Sequence, residues 1–121
     1  LSQEAFDLAM WCEMVLTINP LPTVWSISWG GGESNYPVAS QLAADTCFAR
    51  AALKGVTVLA ASGDDGTGSH GGFFGCKAFD PTYPASCPHV TAVGATYLSG
   101  GTETGWSSSG GGYSAIWARP E

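Results

Sequence analysis

Two adjacent carboxylates stand where an apolar segment gives way to a glycine-rich loop. Asp64 and Asp65 follow the apolar run at residues 56–61 and lie between Gly63 and Gly66. No basic residue is adjacent, so desolvation and mutual repulsion are expected to raise the pKa of one of the two carboxyls. The same residues also suit an Asx turn without any chemical role, and both interpretations stay open at this point.

The elements that position these carboxylates follow from apolar patterns and from glycine and proline. Residues 23–29 alternate and are rich in β-formers, and residues 56–61 form a short apolar run, so both are predicted strands. A helix is predicted between them at 37–54, and a third strand at 89–95. An earlier helix at 2–18, which Ser2 can cap, is apolar nearly all round. Strand, helix and strand form a βαβ unit, which predicts an α/β fold with a parallel sheet.

Ligands of open parallel sheets bind outside the carboxyl ends of the strands. In this sequence those ends are Ser28-Trp29-Gly30-Gly31 and Ala61-Ser62-Gly63-Asp64. The glycine-rich stretch at 62–88 is too long for a passive connection, which favours a functional loop. Residues 107–112 are predicted to form a flexible or tightly turned loop before an aromatic strand. The two strand ends are therefore the predicted location of the chemistry.

Composition excludes several classes of function. The 121 residues include 4 Lys and Arg against 10 Asp and Glu, a net charge of −6, and the four cations are scattered. Without a basic stripe, neither a nucleic acid nor a membrane surface is an expected partner. No apolar run reaches the 18 or so residues of a membrane span.

The four cysteines show no CxxC spacing, and neither histidine lies near a second cysteine pair, so no metal site is predicted. Cys12 and Cys47 lie in apolar helical patterns and are predicted to be buried thiols. Cys76 and Cys87 flank a loop rich in proline and glycine and are predicted to form a disulfide, which would indicate an oxidising compartment.

Four segments, in order, resemble successive blocks of the sedolisins, the serine-carboxyl peptidases that include the tripeptidyl-peptidases. They are Ser26-Ile27-Ser28-Trp29-Gly30-Gly31, Ala61-Ser62-Gly63-Asp64-Asp65-Gly66, the proline-rich block at 79–94 and Ser109-Gly110-Gly111-Gly112-Tyr113-Ser114. The resemblance covers about residues 3–120. It implies a subtilisin-like, doubly wound parallel sheet. Residues 1–121 would form an internal portion of one catalytic domain, with about three strands and two main helices.

The resemblance also implies roles for particular residues. Asp64 matches the family's aspartate in the oxyanion hole, a position where a subtilisin has Asn. An ionised aspartate has no proton to donate, so Asp64 would act only when protonated, which implies activity under acid conditions. The flanking residues resemble the two walls that bind the substrate backbone, and they are Ser28, Trp29, Gly30, Ala61, Ser62 and Gly63.

Other parts of the family's machinery have no match in this chain. The family's nucleophile follows a Gly-Thr pair, and no serine here does. Its Glu base and orienting Asp lie four apart on an earlier helix, whereas Glu4 and Asp7 are three apart and too close to Ser26 to be assigned. The family's calcium site is C-terminal, so no cofactor is expected within this chain. The chain alone is expected to be inactive.

The expected partners are a peptide or protein substrate and the remainder of the chain's own catalytic domain. The expected location is secreted, or an acidic compartment like a lysosome or vacuole. Two alternatives remain: a subtilisin-type serine peptidase working near neutral pH, and a non-catalytic binding module. A histidine-containing triad in the flanking sequence would indicate the first. The absence of a nucleophile motif there would indicate the second.

Overall fold

The computed structural model describes residues 7–67 and 79–119. It has the predicted α/β architecture, with a short 3-10 turn at Glu33–Asn35. The two helices and seven strands of the described residues are α1 Leu8–Val15, β1 Val24–Ile27, β2 Gly31–Gly32, α2 Val38–Leu53, β3 Thr57–Ala61, β4 Thr82–Tyr83, β5 Thr91–Val93, β6 Thr96–Ser99 and β7 Thr102–Gly105. None of these helices is long and apolar enough to cross a membrane.

The main sheet contains the three predicted strands in the order β1-β3-β5, and both pairings are parallel. Val24 of β1 pairs with Thr57 of β3, and Leu59 of β3 pairs with Thr91 of β5. Because the strands run in the same direction, the residues that follow β1 and β3 emerge at the same edge of the sheet. This edge is where the sequence places the candidate chemistry.

One face of this sheet packs against both helices. Trp25 and Ile27 of β1 and Val58 and Ala60 of β3 are buried, while their neighbours along each strand are mostly exposed. The helices contribute the other half of this core, including Leu8, Cys12, Ala44, Cys47, Phe48 and Ala51. On the opposite face Val24 is 61% exposed, so the described residues leave that face largely uncovered.

The cysteines differ from the sequence prediction. Cys12 of α1 and Cys47 of α2 form a disulfide with a Cα–Cα distance of 6.2 Å, so the prediction of two buried thiols is wrong. Buried thiols and buried disulfides have the same apolar surroundings, which is why the pattern did not separate them. Cys87 is a free, buried thiol, which contradicts its predicted disulfide. The predicted partner, Cys76, lies outside the described residues.

Helix α1 is shorter than predicted at its C-terminal end and begins at a clear cap. The Asp7 carboxylate accepts hydrogen bonds from the backbone N–H groups of Ala9 at 2.9 Å and Met10 at 3.1 Å. These bonds satisfy two of the four free donors at a helix start. Asp7 is thus a capping residue here, while Ser2, the predicted cap, lies outside the described residues.

The region after β5 was only partly predicted. β6 and β7 form an antiparallel hairpin closed by Gly100 and Gly101, whose φ angles are +58° and +85°. A Gly-Gly pair between short β-rich segments is a known hairpin signal that the sequence analysis did not use. The aromatic strand predicted after Gly112 is absent from the described residues. Ser114 Oγ instead accepts hydrogen bonds from the N–H groups of Ile116 and Trp117, which closes a turn.

Candidate functional site

A cavity of about 530 Å³ lies at the carboxyl edge of the sheet, between the segments that follow β1 and β3. Its lining includes the predicted residues Ser28, Trp29, Gly30, Ala61, Gly63 and Asp64. Ser62 does not line the cavity and is buried, with 3% of its surface exposed. The structure therefore brings both predicted walls to one cleft, with Ser62 behind it.

The first wall continues from β1 into β2, which pairs antiparallel with β4. Glycine is required here by close backbone approach, because a Cβ on Gly30 would overlap with the carbonyl oxygen of Tyr83. A Cβ on Gly32 would overlap with the carboxylate of Asp80 in the same way. The glycine run after β1 thus allows the 79–83 segment to form one side of the cleft.

The second wall is the loop that follows β3. Ser62 N–H donates to Val93 O at 3.0 Å, and Gly66 N–H donates to Ser108 O at 2.9 Å. Gly63 has a φ of +93°, a left-handed conformation that favours glycine. These constraints fix the backbone on both sides of Asp64. The Asp64 side chain is exposed in this chain, so the burial that the sequence analysis expected for it is not provided by the described residues.

Asp80 is a cavity residue that the sequence analysis did not single out. It is buried, and its carboxylate accepts hydrogen bonds from Ser34 N–H and from Ser34 Oγ, both at 3.0 Å. Together with Asp64 and Asp65 it gives the cavity three carboxylates, and no Lys, Arg or His is among the described lining residues. The described part of the cleft lining is therefore acidic. The position of Asp80 inside the proline-rich block at 79–94 was the sequence feature that could have identified it.

Aromatic side chains support the first wall. The ring centroids of Trp29 and Tyr36 are 6.0 Å apart, and those of Tyr36 and Tyr83 are 4.8 Å apart. Burial raises the pKa of both tyrosines above the ordinary value, so their hydroxyls stay neutral near neutral pH and below it. Trp29 is 39% exposed, and it also lines the cleft.

His89 belongs to a different part of the structure. Its ring Nδ1 lies 2.9 Å from Asp45 Oδ2, and its backbone N–H donates to Asp45 Oδ1 at 3.1 Å. This pair joins α2 to the segment before β5 and does not line the cleft. His70 lies outside the described residues.

In the part of the chain that the structure describes, no group of three or more His, Cys, Asp or Glu side chains is arranged to hold a metal ion. The three cleft carboxylates are not such a group. That no cofactor lies within this chain stays a prediction.

A parallel α/β sheet, helices on one face and a polar cleft at its carboxyl edge define a partial subtilisin-like fold. The structure is similar to Pseudomonas sedolisin, described as a serine-carboxyl proteinase complexed with two molecules of pseudo-iodotyrostatin. The TM-score is 0.75 at 29% sequence identity, and the match covers 91% of this chain and 34% of that one. The predicted fold class is therefore confirmed.

Sequence comparison points to the same family, although no protein-family model matches the chain. The chain is 41% identical over 108 residues to the tripeptidyl-peptidase SED3 of Arthroderma otae, covering 87% of this chain and 18% of that protein. It is 39% identical over 116 residues to the tripeptidyl-peptidase sed1 of Aspergillus fumigatus, covering 83% and 18%. The sedolisin resemblance is confirmed. The chain spans about a fifth of the length of these relatives, at 18%.

Proposed function

We propose that this chain is part of the catalytic domain of a serine-carboxyl peptidase that hydrolyses peptide bonds under acid conditions. The serine nucleophile and its glutamate base would be supplied by parts of the domain outside the chain. The observation that carries the proposal is that residues of both predicted walls and Asp64 line the same cleft of about 530 Å³. The similarity to tripeptidyl-peptidases and to a sedolisin supports it.

The two walls suit an extended peptide substrate. Five residues at or just after the ends of β1 and β3 line the same cleft: Ser28, Trp29, Gly30, Ala61 and Gly63. Backbone groups at strand ends can bind an extended chain by main-chain hydrogen bonds, while small residues leave room for its side chains. The substrate would therefore lie between the walls, with its scissile carbonyl near Asp64. Ser62 would act indirectly, by fixing the second wall through its bond to Val93.

Asp64 would stabilise the oxyanion that forms when a nucleophile attacks the scissile carbonyl. A neutral carboxyl donates its proton in a hydrogen bond to that oxygen, whereas an ionised one repels it. Asp64 is exposed in this chain, so bound substrate and the rest of the domain would have to exclude water from it.

The test uses the protein expressed from its complete reading frame. Asp64→Ala is expected to lower turnover by about 10²–10³, the usual effect of removing one oxyanion donor. Asp64→Asn keeps a hydrogen-bond donor that does not titrate, so it should retain more activity than Asp64→Ala. The activity of Asp64→Asn should also fall less steeply than that of wild type as pH rises. Glu103→Ala serves as the control, because Glu103 lies on the exposed hairpin strand β7. Turnover of Asp64→Ala within about threefold of wild type would contradict the proposed role.

The cellular location is proposed as secreted, or as an acidic compartment like a lysosome or vacuole. The Cys12–Cys47 disulfide supports an oxidising compartment, because such bonds persist mainly outside the cytosol. An aspartate rather than an amide at position 64 favours acid conditions over a neutral subtilisin-type enzyme. A complete sequence without a serine nucleophile motif would instead favour a non-catalytic binding module.

A further inference from the structure

The segment at 108–115, here called the brace, contacts both walls of the cleft. On the side of the Asp64 loop, Gly66 N–H donates to Ser108 O at 2.9 Å and Gly110 N–H donates to Gly63 O at 3.1 Å. The contact is close enough that a Cβ on Gly110 would overlap with the carbonyl oxygen of Ser62. The brace therefore lies directly against the backbone that presents Asp64.

The other end of the brace is bound by a buried glutamate on the first wall. Glu33 follows β2 directly and is 1% exposed. One of its carboxylate oxygens accepts a hydrogen bond from Ser114 Oγ at 2.5 Å, and the other accepts one from Ala115 N–H at 2.8 Å. In the part of the chain that the structure describes, no ion pair involves Glu33. Hydrogen bonds to the brace thus take up both oxygens of this buried carboxylate.

The backbone of Glu33 is fixed as firmly as its side chain. Its N–H donates to Pro81 O at 2.7 Å, and its carbonyl oxygen accepts from the buried Gln41 Nε2 at 3.0 Å. These contacts join Glu33 to the 79–83 side of the cleft and to α2. The Glu33 carboxylate is therefore anchored directly beside Gly31 and Gly32 of the first wall.

The two hydrogen-bond donors that face the Glu33 side chain require a group that accepts hydrogen bonds and donates none. Ser114 Oγ already accepts hydrogen bonds from Ile116 N–H at 2.9 Å and Trp117 N–H at 2.8 Å, so its own proton is directed to Glu33. A glutamine would turn an N–H₂ group toward one of these two donors and leave that donor unpaired, which is costly in a buried position. The arrangement is specific for a carboxylate at position 33.

We propose that Glu33 is a positioning residue of the cleft. Through Ser114 and Ala115 it holds the brace, and the brace in turn holds the Asp64 loop, so the distance between the two walls depends on this carboxylate. The proposal rests on the proposed peptidase function, because the quantity that it controls is the position of the substrate relative to Asp64. A misplacement of about 1 Å in a reacting geometry can cost about 10²-fold in rate.

The test compares variants of the protein expressed from its complete reading frame. Glu33→Gln and Ser114→Ala are each expected to lower kcat/KM by about tenfold or more per active site, because each removes a bond between wall and brace. Ser114→Thr keeps the hydroxyl and is expected to retain most of the activity. Glu103→Gln is the matched control, because its carboxylate accepts a hydrogen bond from Thr96 Oγ1 at 2.6 Å within the hairpin, remote from the cleft lining.

Active sites are counted by titration with a serine-directed covalent inhibitor, which separates positioning from folding. A lower kcat/KM per titrated site supports the proposal. A lower number of titratable sites with unchanged kcat and KM per site would overturn it, since Glu33 would then only stabilise the fold. If Glu33→Gln yields no folded protein, Ser114→Ala decides by the same two outcomes. If the wild-type protein has no peptidase activity, both the proposed function and this inference are contradicted. If the wild type is active and the variants are unaffected, only this inference is contradicted.

Discussion

Cys87 shows how burial sets the chemistry of a single residue. The thiol is 3% exposed, and burial is the main cause that raises its pKa above the ordinary range, with the Asp45 and Glu33 carboxylates adding to the shift. A neutral, buried thiol is neither a nucleophile nor a metal ligand. Cys87 is therefore a packing residue, which agrees with its place in the main core cluster.

This burial predicts a loss of stability at alkaline pH. An exposed thiol in the unfolded chain ionises at a pKa of about 8.5, whereas the folded chain keeps the proton to higher pH. The unfolded state therefore binds fewer protons above about pH 8.5, and stability falls as pH rises through that value. Urea unfolding of the complete protein should show a steeper decline between about pH 8 and 10 for wild type than for Cys87→Ala. Equal declines would show that Cys87 does not carry the effect.

At the scale of elements, the glycine run at 110–112 is explained by close packing. Gly110 meets the Ser62 carbonyl oxygen, and a Cβ on Gly112 would lie 2.6 Å from the Ala92 side chain. Neither position needs a left-handed backbone, because among the described glycines the positive φ angles belong to other positions. Glycine at 110 and 112 therefore allows this segment to lie directly against the Ser62 backbone and the Ala92 side chain of β5.

Gly110→Ala should accordingly destabilise the complete protein and disturb the cleft. The added methyl group overlaps with backbone, which cannot move aside as a side chain can, and such overpacking costs about 1–3 kcal/mol. The free energy of unfolding is measured with urea, and kcat/KM is measured in parallel. Gly105→Ala is the matched control, because a Cβ there meets nothing within 4 Å. Equal stability of the two variants would contradict the close contact.

At the scale of the whole molecule, much apolar surface remains uncovered. Met10 and Met14 of α1 are 69% and 62% exposed, and Val93 of β5 is 48% exposed. Parallel sheets are normally covered on both faces, so the free face of β1-β3-β5 is where the remainder of a catalytic domain would pack. That remainder is the partner that the proposed function requires.

The 121 residues expressed alone are therefore expected to bind a hydrophobic dye, to unfold at low urea concentration and to lack peptidase activity. The chain offers no serine in the family's nucleophile motif, which is the reason for the missing activity. Peptide hydrolysis is assayed from about pH 3 to 8 with and without a serine-directed inhibitor. Inhibitor-sensitive turnover by the purified chain would show that the nucleophile lies among its own serines.

The sequence by itself determined the βαβ unit, the third parallel strand and the edge where the cleft lies. Those features follow from local signals: apolar periodicity over a few residues, and glycine or proline at the ends of elements. It also placed Ser28, Trp29, Gly30, Ala61, Gly63 and Asp64 at one cleft, because parallel strands bring their carboxyl ends to the same edge.

Only the tertiary structure decided which distant side chains meet. The Cys12–Cys47 disulfide joins residues 35 apart, Asp80 binds Ser34 across 46 residues, and Glu33 binds Ser114 across 81. No local pattern encodes such pairs, since each depends on how segments far apart in sequence pack together. The disulfide depends on the packing of α1 against α2, and the other two pairs depend on how the segments after β2, β3 and β7 meet. The exposure of Asp64 has the same origin, because the solvent contact of a side chain is set by everything packed around it rather than by its neighbours in sequence.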